Sequence, residues 1–193
     1  MLAFPAAGGD DAAGNGSVAE GGIAMSDAER VYRARPTDEE IADVLGQRLV
    51  ASVGTLNRDG SIHLAYVIFE HHDDKVYFET SSVTRKARNA ERTGTASVLV
   101  QGQAATGRSL MVSFEGAARV IHGAEAHEAN RRLRAKYIKA DALAELDDAW
   151  AKLDDVAVEI TPQRRRSWLS AVLHEETQRQ ISVPYDQMWR SGD

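Results

Sequence analysis

Apolar residues recur along the chain in two rhythms. Around Ile41, Val44 and Leu45 they fall three and four apart, the spacing of one helix face. Pro36-Thr37-Asp38-Glu39-Glu40 supplies the start of that helix, with Thr37 as cap and Glu40 placed to close a capping box. From Leu49 the period becomes two. Leu49 to Leu56 reads as a strand, Asn57-Arg58-Asp59-Gly60 as a hairpin turn, and Ser61 to Phe69 as the returning strand. His71-His72-Asp73-Asp74 reads as a second polar turn, before a third strand over Lys75 to Thr80.

A short basic helix follows around Thr84 to Arg92, then a strand over Ala96 to Gln101, a loop over Gly102 to Gly107, and a long strand over Leu110 to Ile121. Glu125 to Tyr137 and Ala140 to Leu153 are helical in period; in the second, Leu143, Leu146, Trp150 and Leu153 share a face. Val156, Val158 and Ile160 alternate as a closing strand that Thr161-Pro162 is expected to stop. Strands and helices in this order predict a mostly β protein, a small antiparallel barrel with peripheral helices and not a parallel α/β sheet.

The ends of the chain read differently. Residues 1–28 are rich in Gly, Ala, Asp and Ser and hold too little apolar surface to offset the entropy of ordering them, so a disordered tail is expected there. Met25 offers an alternative start. A single barrel domain is expected over 29–170, with a C-terminal extension over 171–193.

Composition narrows the chemistry. Among 193 residues, 29 acidic against 23 basic side chains give a net charge of −6, which does not suit coating nucleic acid or anionic lipid. No apolar run approaches the roughly 20 residues of a membrane span. Neither nucleic acid nor a membrane is an expected partner, and with no secretory signal the expected compartment is the cytoplasm. The absence of cysteine excludes disulfides, a thiolate nucleophile and cysteine-ligated metal centres, so redox chemistry needs an organic cofactor.

The segment Thr80-Ser81-Ser82-Val83-Thr84-Arg85-Lys86-Ala87-Arg88-Asn89 carries the clearest chemistry. Hydroxyls and free N–H groups at a strand-to-helix junction, with three cations in the first turns, suit a terminal phosphate. Cations at a helix N-terminus oppose the dipole, so without an anion the arrangement is unfavourable. Spacing alone fits a solvated basic helix equally well.

Three further signals lead nowhere. The histidines, including His71-His72, His122, His127 and His174, lack metal-ligand spacing, and no metal is expected. Gly102 and Gly107 are spaced like a phosphate loop, but Arg108 stands where such a loop needs Lys. Arg164-Arg165-Arg166 reads as a solvated basic cluster.

Thr80, Thr84-Arg85-Lys86-Ala87 and the strands before them resemble the FMN-phosphate segment of the pyridoxamine 5'-phosphate oxidase-like split β-barrel superfamily. The hairpin Thr55-Leu56-Asn57-Arg58-Asp59-Gly60-Ser61 and the run Phe114-Glu115-Gly116-Ala117-Ala118 extend the likeness, which covers roughly Thr37 to Trp168. The branch it most resembles holds flavin- and deazaflavin-dependent oxidoreductases. The resemblance implies an FMN-binding split β-barrel of antiparallel, Greek-key-like strands, and a homodimer with cofactor at its interface. FMN, or alternatively the deazaflavin coenzyme F-420, is the implied cofactor.

By the same resemblance, Arg85 and Lys86 grip the phosphate, with Arg88 as a weaker candidate. Thr80, Ser81 and Thr84 bond phosphate or ribityl oxygens, and the backbone of Leu64, Ala65, Tyr66 and Val67 lines the ring edge. Trp168 approaches the cofactor of the partner subunit, or serves packing alone. No acid–base residue is implied. Leu169 to His174 do not reproduce the oxidases' Arg-containing substrate signature, and Leu64, Phe69 and Met111 replace polar positions, which points away from pyridoxamine phosphate as substrate. The expected function is a flavin-type oxidoreductase acting on a small molecule; the alternative is a non-catalytic flavin- or haem-binding stress protein of the same fold.

Overall fold

The computed structural model describes residues 35–150, 153–169, 178–184 and 187. Six strands form a closed antiparallel barrel: β1 (Val50–Leu56), β2 (Ile62–His72), β3 (Lys75–Ser81), β4 (Thr95–Gln103), β5 (Ser109–Ile121) and β6 (Asp155–Leu169). Around the barrel they run β1-β2-β3-β6-β5-β4. Alternation along each strand sends one set of side chains inward, where Val53, Phe69, Phe78, Val100, Phe114 and Ile160 meet in a single core. Each such side chain contributes about 1.5–3 kcal/mol by leaving water.

Among the described residues, α1 (Asp38–Gly46), α2 (Arg85–Thr93), α3 (Gly123–Tyr137) and α4 (Ala140–Trp150) decorate the barrel. The capping box of α1 forms, with Glu40 N–H donating to Thr37 Oγ1 at 3.2 Å and Thr37 N–H to Glu40 Oε2 at 3.0 Å. Buried Glu40 also accepts from Thr106 at 2.8 Å and Arg108 at 3.1 Å, pinning α1 to the β4–β5 loop. α3 is held by Arg134, which is buried and reaches Glu79 on β3, Asp147 on α4 and Asp155 on β6. No helix among the described residues is long and apolar enough to cross a membrane.

Three boundaries differ from the sequence reading. β2 continues through His71 and His72, so the turn is Asp73-Asp74 alone, both in the left-handed region with φ 49° and 59°. Aspartate tolerates that region, which allows a tight two-residue hairpin. Thr161-Pro162 does not stop β6, which runs on to Leu169. A register shift between Glu115 and Gly116 sets Pro162 opposite Gly116, and there its missing N–H leaves the ladder intact on either side. α4 ends at Trp150, leaving Leu153 beyond it and exposed. The expected tail over 1–28 lies outside the described residues, as do most of 171–193 and His174.

Candidate cofactor site

The junction between β3 and α2 is built from its hydroxyls. Thr84 is the N-cap, and its Oγ1 accepts from Ala87 N–H while donating to the Ser81 carbonyl at 2.8 Å. With that proton committed, Thr80 donates to Thr84 across 2.9 Å. Ser81 Oγ accepts from Val83 N–H, and Ser82 donates to the Asp154 carboxylate. Thr80 and Thr84 therefore shape the loop, and its cations stand outside this network.

Arg85, Arg88 and Arg92 follow at i, i+3 and i+7 on one face of α2. With Arg58 of the β1–β2 turn, they line a cleft of about 770 Å³. Asn89 ties the turn to the helix, donating to Asn57 Oδ1 at 2.9 Å, and Arg92 reaches the Leu56 carbonyl. Arg58, Arg85 and Arg88 have no carboxylate within ion-pair distance among the described residues. The sequence reading missed Arg58 and Arg92. The helical spacing carried a signal for Arg92; Arg58 enters only because α2 docks on its turn.

Lys86 is half-buried and lies outside the lining of this cleft. Burial pushes its ammonium pKa below the usual lysine range, with no neighbouring carboxylate to oppose the shift. An unpaired, partly desolvated cation beside a basic cleft is an unfavourable arrangement that an anion would relieve.

The edge of β2 faces the same region, because α2 follows β3 directly and packs on both β1 and β2. Asp73-Asp74 leaves His72 and Lys75 as the closing, mutually hydrogen-bonded pair of the hairpin. Even-numbered residues of β2 thus aim N–H and C=O at β3, and odd-numbered ones at β1. β3 follows β2 only over Phe69–His72, so the main-chain groups of Leu64 and Tyr66 have no strand partner among the described residues. Ala65 and Val67 pair theirs with Val53 and Ala51 on β1. The split in the barrel is this free edge.

Trp168 is not brought to the others within the chain. It pairs with Met111 near the α1 end of the barrel, whereas Ser81 pairs with Asp155 at the other end of β6. Several other charged groups pair with one another. Glu115 holds Arg164 and Arg166, and Asp38 holds Arg165. Buried Glu159 takes Lys75, Arg119 and the Tyr77 hydroxyl, whose pKa burial and that carboxylate push up to about 12. The His71 ring stacks on Phe114, and burial pushes its pKa down.

The model of the pyridoxamine 5'-phosphate oxidase family matches residues 37–169, from the N-cap of α1 to the last residue of β6. The chain belongs to that family. The oxidase-family match therefore takes in the whole barrel, α2, the arginine cleft and the free edge of β2.

Solved structures repeat this oxidase-family fold. The conserved hypothetical protein Rv2991 of Mycobacterium tuberculosis is 26% identical, with a TM-score of 0.60 over 72% of this chain and 88% of its own. The haem storage protein HutZ of Vibrio cholerae is 16% identical, with a TM-score of 0.54 over 68% and 93%. An FAD-binding protein of Mesorhizobium loti is 15% identical, with a TM-score of 0.50 over 69% and 95%. A comparison with curated proteins finds no match.

Proposed function

We propose that this family member is a flavin-type oxidoreductase, which holds FMN or the deazaflavin coenzyme F-420 by its phosphate and acts on a small molecule. The observation that carries the reading is the set of cations without carboxylate partners, Arg58, Arg85, Lys86 and Arg88, gathered beside the free edge of β2. The cleft's four arginines against one lining carboxylate, Glu91, leave a positive excess that a phosphate matches. A flavin ring supplies the donors and acceptors that the main chain of Leu64 and Tyr66 requires.

The chain's own residues bind and orient. Arg85 and Arg88 on the helix and Arg58 on the turn close on the phosphate from two elements, and the Lys86 ammonium adds charge from the half-buried side. Thr80, Ser81 and Thr84 hold the loop in the shape that presents these cations. The bound cofactor supplies the hydride or two-electron chemistry. No side chain at the cleft is placed as an obligatory acid or base.

The protein acts as a homodimer in this reading. Val50, Leu56, Ile62, Leu64, Tyr66 and Leu99 are large apolar residues left exposed on β1, β2 and β4. Leu56, Ile62, Leu64 and Leu99 line a groove of about 570 Å³, Val50 and Tyr66 line another that shares Ser52 and Leu99 with it, and such an apolar surface calls for a partner. A second copy covering this face also shields a ring bound at the β2 edge.

Titration of the purified full chain with FMN, and separately with coenzyme F-420, tests the reading by absorbance and fluorescence. Saturable binding that weakens about tenfold or more in Arg85→Ala and Lys86→Ala is expected, since each charge-assisted bond is worth roughly 1.5–3 kcal/mol. An unchanged Kd in both variants overturns the phosphate placement. Binding without hydride exchange to any donor or acceptor leaves the non-catalytic binding protein in its place.

A further inference from the structure

The peptide between Ser81 and Ser82 joins the barrel to the β3–α2 loop. Its N–H donates to the Asp154 carbonyl at 3.3 Å, and its C=O accepts from Thr84 N–H at 3.0 Å and from Thr84 Oγ1 at 2.8 Å. The first bond continues the β3–β6 ladder one step past its last pair, Ser81 with Asp155. Thr84 is the N-cap of α2, so the orientation of this one peptide plane sets where α2 begins and where Arg85 stands.

The last bond of a ladder opens more easily than those inside it. Here the Asp154 side chain backs it, because its carboxylate accepts from Ser82 Oγ. A bond to a charged acceptor is stronger than one between neutral groups. The Ser82 hydroxyl is thereby spent and has no second proton for a ligand. Asp154 itself stands on a fixed base. The adjoining Asp155 is held at 2.9 Å by Arg134, which is 1% exposed and also binds Glu79 and Asp147.

Charge alone gives Asp154 the wrong sign for a phosphate site. A carboxylate bonded to the loop repels an anion there, so its bond to Ser82 is what favours binding. Asp154 is exposed and lies outside the lining of the arginine cleft. We propose that Asp154 is a positioning residue of the cofactor loop, fixing the N-cap of α2 through Ser82 and with it the cations that face the phosphate. The role rests on the cofactor reading and adds to it a residue that touches no ligand.

Two substitutions separate position from charge. Asp154→Ala removes the side-chain bond and keeps the main-chain one, whereas Asp154→Asn keeps an oxygen for Ser82 and removes only the charge. Hydrogen–deuterium exchange on the cofactor-free full chain reads the loop directly. The Ser82 to Arg85 amides should exchange several-fold faster in Asp154→Ala, while those of Val53 and Val98 in the barrel keep their rates. FMN titration reads the consequence: Asp154→Ala should weaken binding about threefold or more, as the loop spends less time closed. Asp154→Asn should restore most of that loss, and Ser82→Ala, which removes the same bond from its other end, should repeat it. In an Arg85→Ala background the loss should shrink, since both substitutions act on one contact.

Unchanged loop exchange in Asp154→Ala overturns the proposal, as does FMN binding that is unchanged or tighter. So does an Asp154→Asn as weak as Asp154→Ala, or a loss that adds in full to that of Arg85→Ala. A parent chain that binds no FMN or coenzyme F-420 overturns the cofactor reading and this role with it, a result distinct from a parent that binds and variants that match it.

Discussion

Asn89 donates from Nδ2 to the Asn57 side-chain oxygen at 2.9 Å, and from the same nitrogen to Thr55 Oγ1 at 3.3 Å. These two bonds fasten the buried face of α2 to the turn that carries Arg58, so that cations 27 residues apart in sequence, Arg58 and Arg85, line one cleft. Asn89→Ala strands two acceptors at a buried site and should lower stability by about 1–3 kcal/mol. It should also weaken FMN binding several-fold without removing a phosphate contact. Urea denaturation and FMN titration check the two effects separately; a stability loss with unaltered FMN affinity would detach the turn from the site.

Lys86 sets a pH dependence. Its folded-state pKa lies below the usual lysine range because burial disfavours the ammonium. The charged form therefore costs stability below that folded pKa. The cost disappears as pH rises through the folded value toward the ordinary one. A phosphate binds the charged form, so FMN affinity should fall over the same window in which the cofactor-free protein gains stability. Titrations from about pH 7 to about pH 10 should show opposite slopes for binding and melting. Lys86→Arg, which stays charged, should flatten the binding slope; a slope that persists in this variant assigns the titration elsewhere.

The barrel was legible because its signals are local. Val98 and Val100, or Val112 and Phe114, alternate inward whatever the rest of the chain does, and Asn57 to Gly60 makes a turn on its own chemistry. The basic loop was legible for the same reason. What stayed hidden depends on distant partners. Pro162 sits inside β6 only because Gly116, 46 residues earlier, accommodates the shift in register. The free edge of β2 exists because β3 leaves it after Phe69–Phe78, which no pattern within β2 announces. Arg134 looks like an exposed helix residue until Glu79, Asp147 and Asp155 arrive from three other elements.

Gly116 is irreplaceable on geometric grounds. A Cβ built on it would stand 2.1 Å from the Thr161 carbonyl oxygen and 2.8 Å from the Gln163 nitrogen, both main-chain atoms. Neither can move without undoing the β5–β6 register. Gly116→Ala should therefore destabilise the fold by about 3 kcal/mol or more, at the upper end for overpacking. Thermal melting measures it. A variant as stable as the parent would mean that β6 takes another register beyond Pro162.

The face of β1, β2 and β4 gives the last prediction. Ile62 and Leu64 are each 69% exposed, and Tyr66 is 79% exposed. They alternate with Val67 and Phe69, which fill the core, so one strand is apolar on both sides. A solvated outer face would carry polar residues at those positions. Ile62→Glu and Leu99→Glu place charges on this surface while leaving the arginine cleft and the β2 main chain untouched. In a dimer each introduces a buried, unpaired charge at the interface, costly enough to shift the equilibrium to monomer. Sedimentation velocity should show a dimer for the parent chain and a monomer for the double variant. Because the dimer shields the ring, the double variant should also bind FMN more weakly while its phosphate contacts remain. A monomeric parent chain would assign the apolar face to another partner.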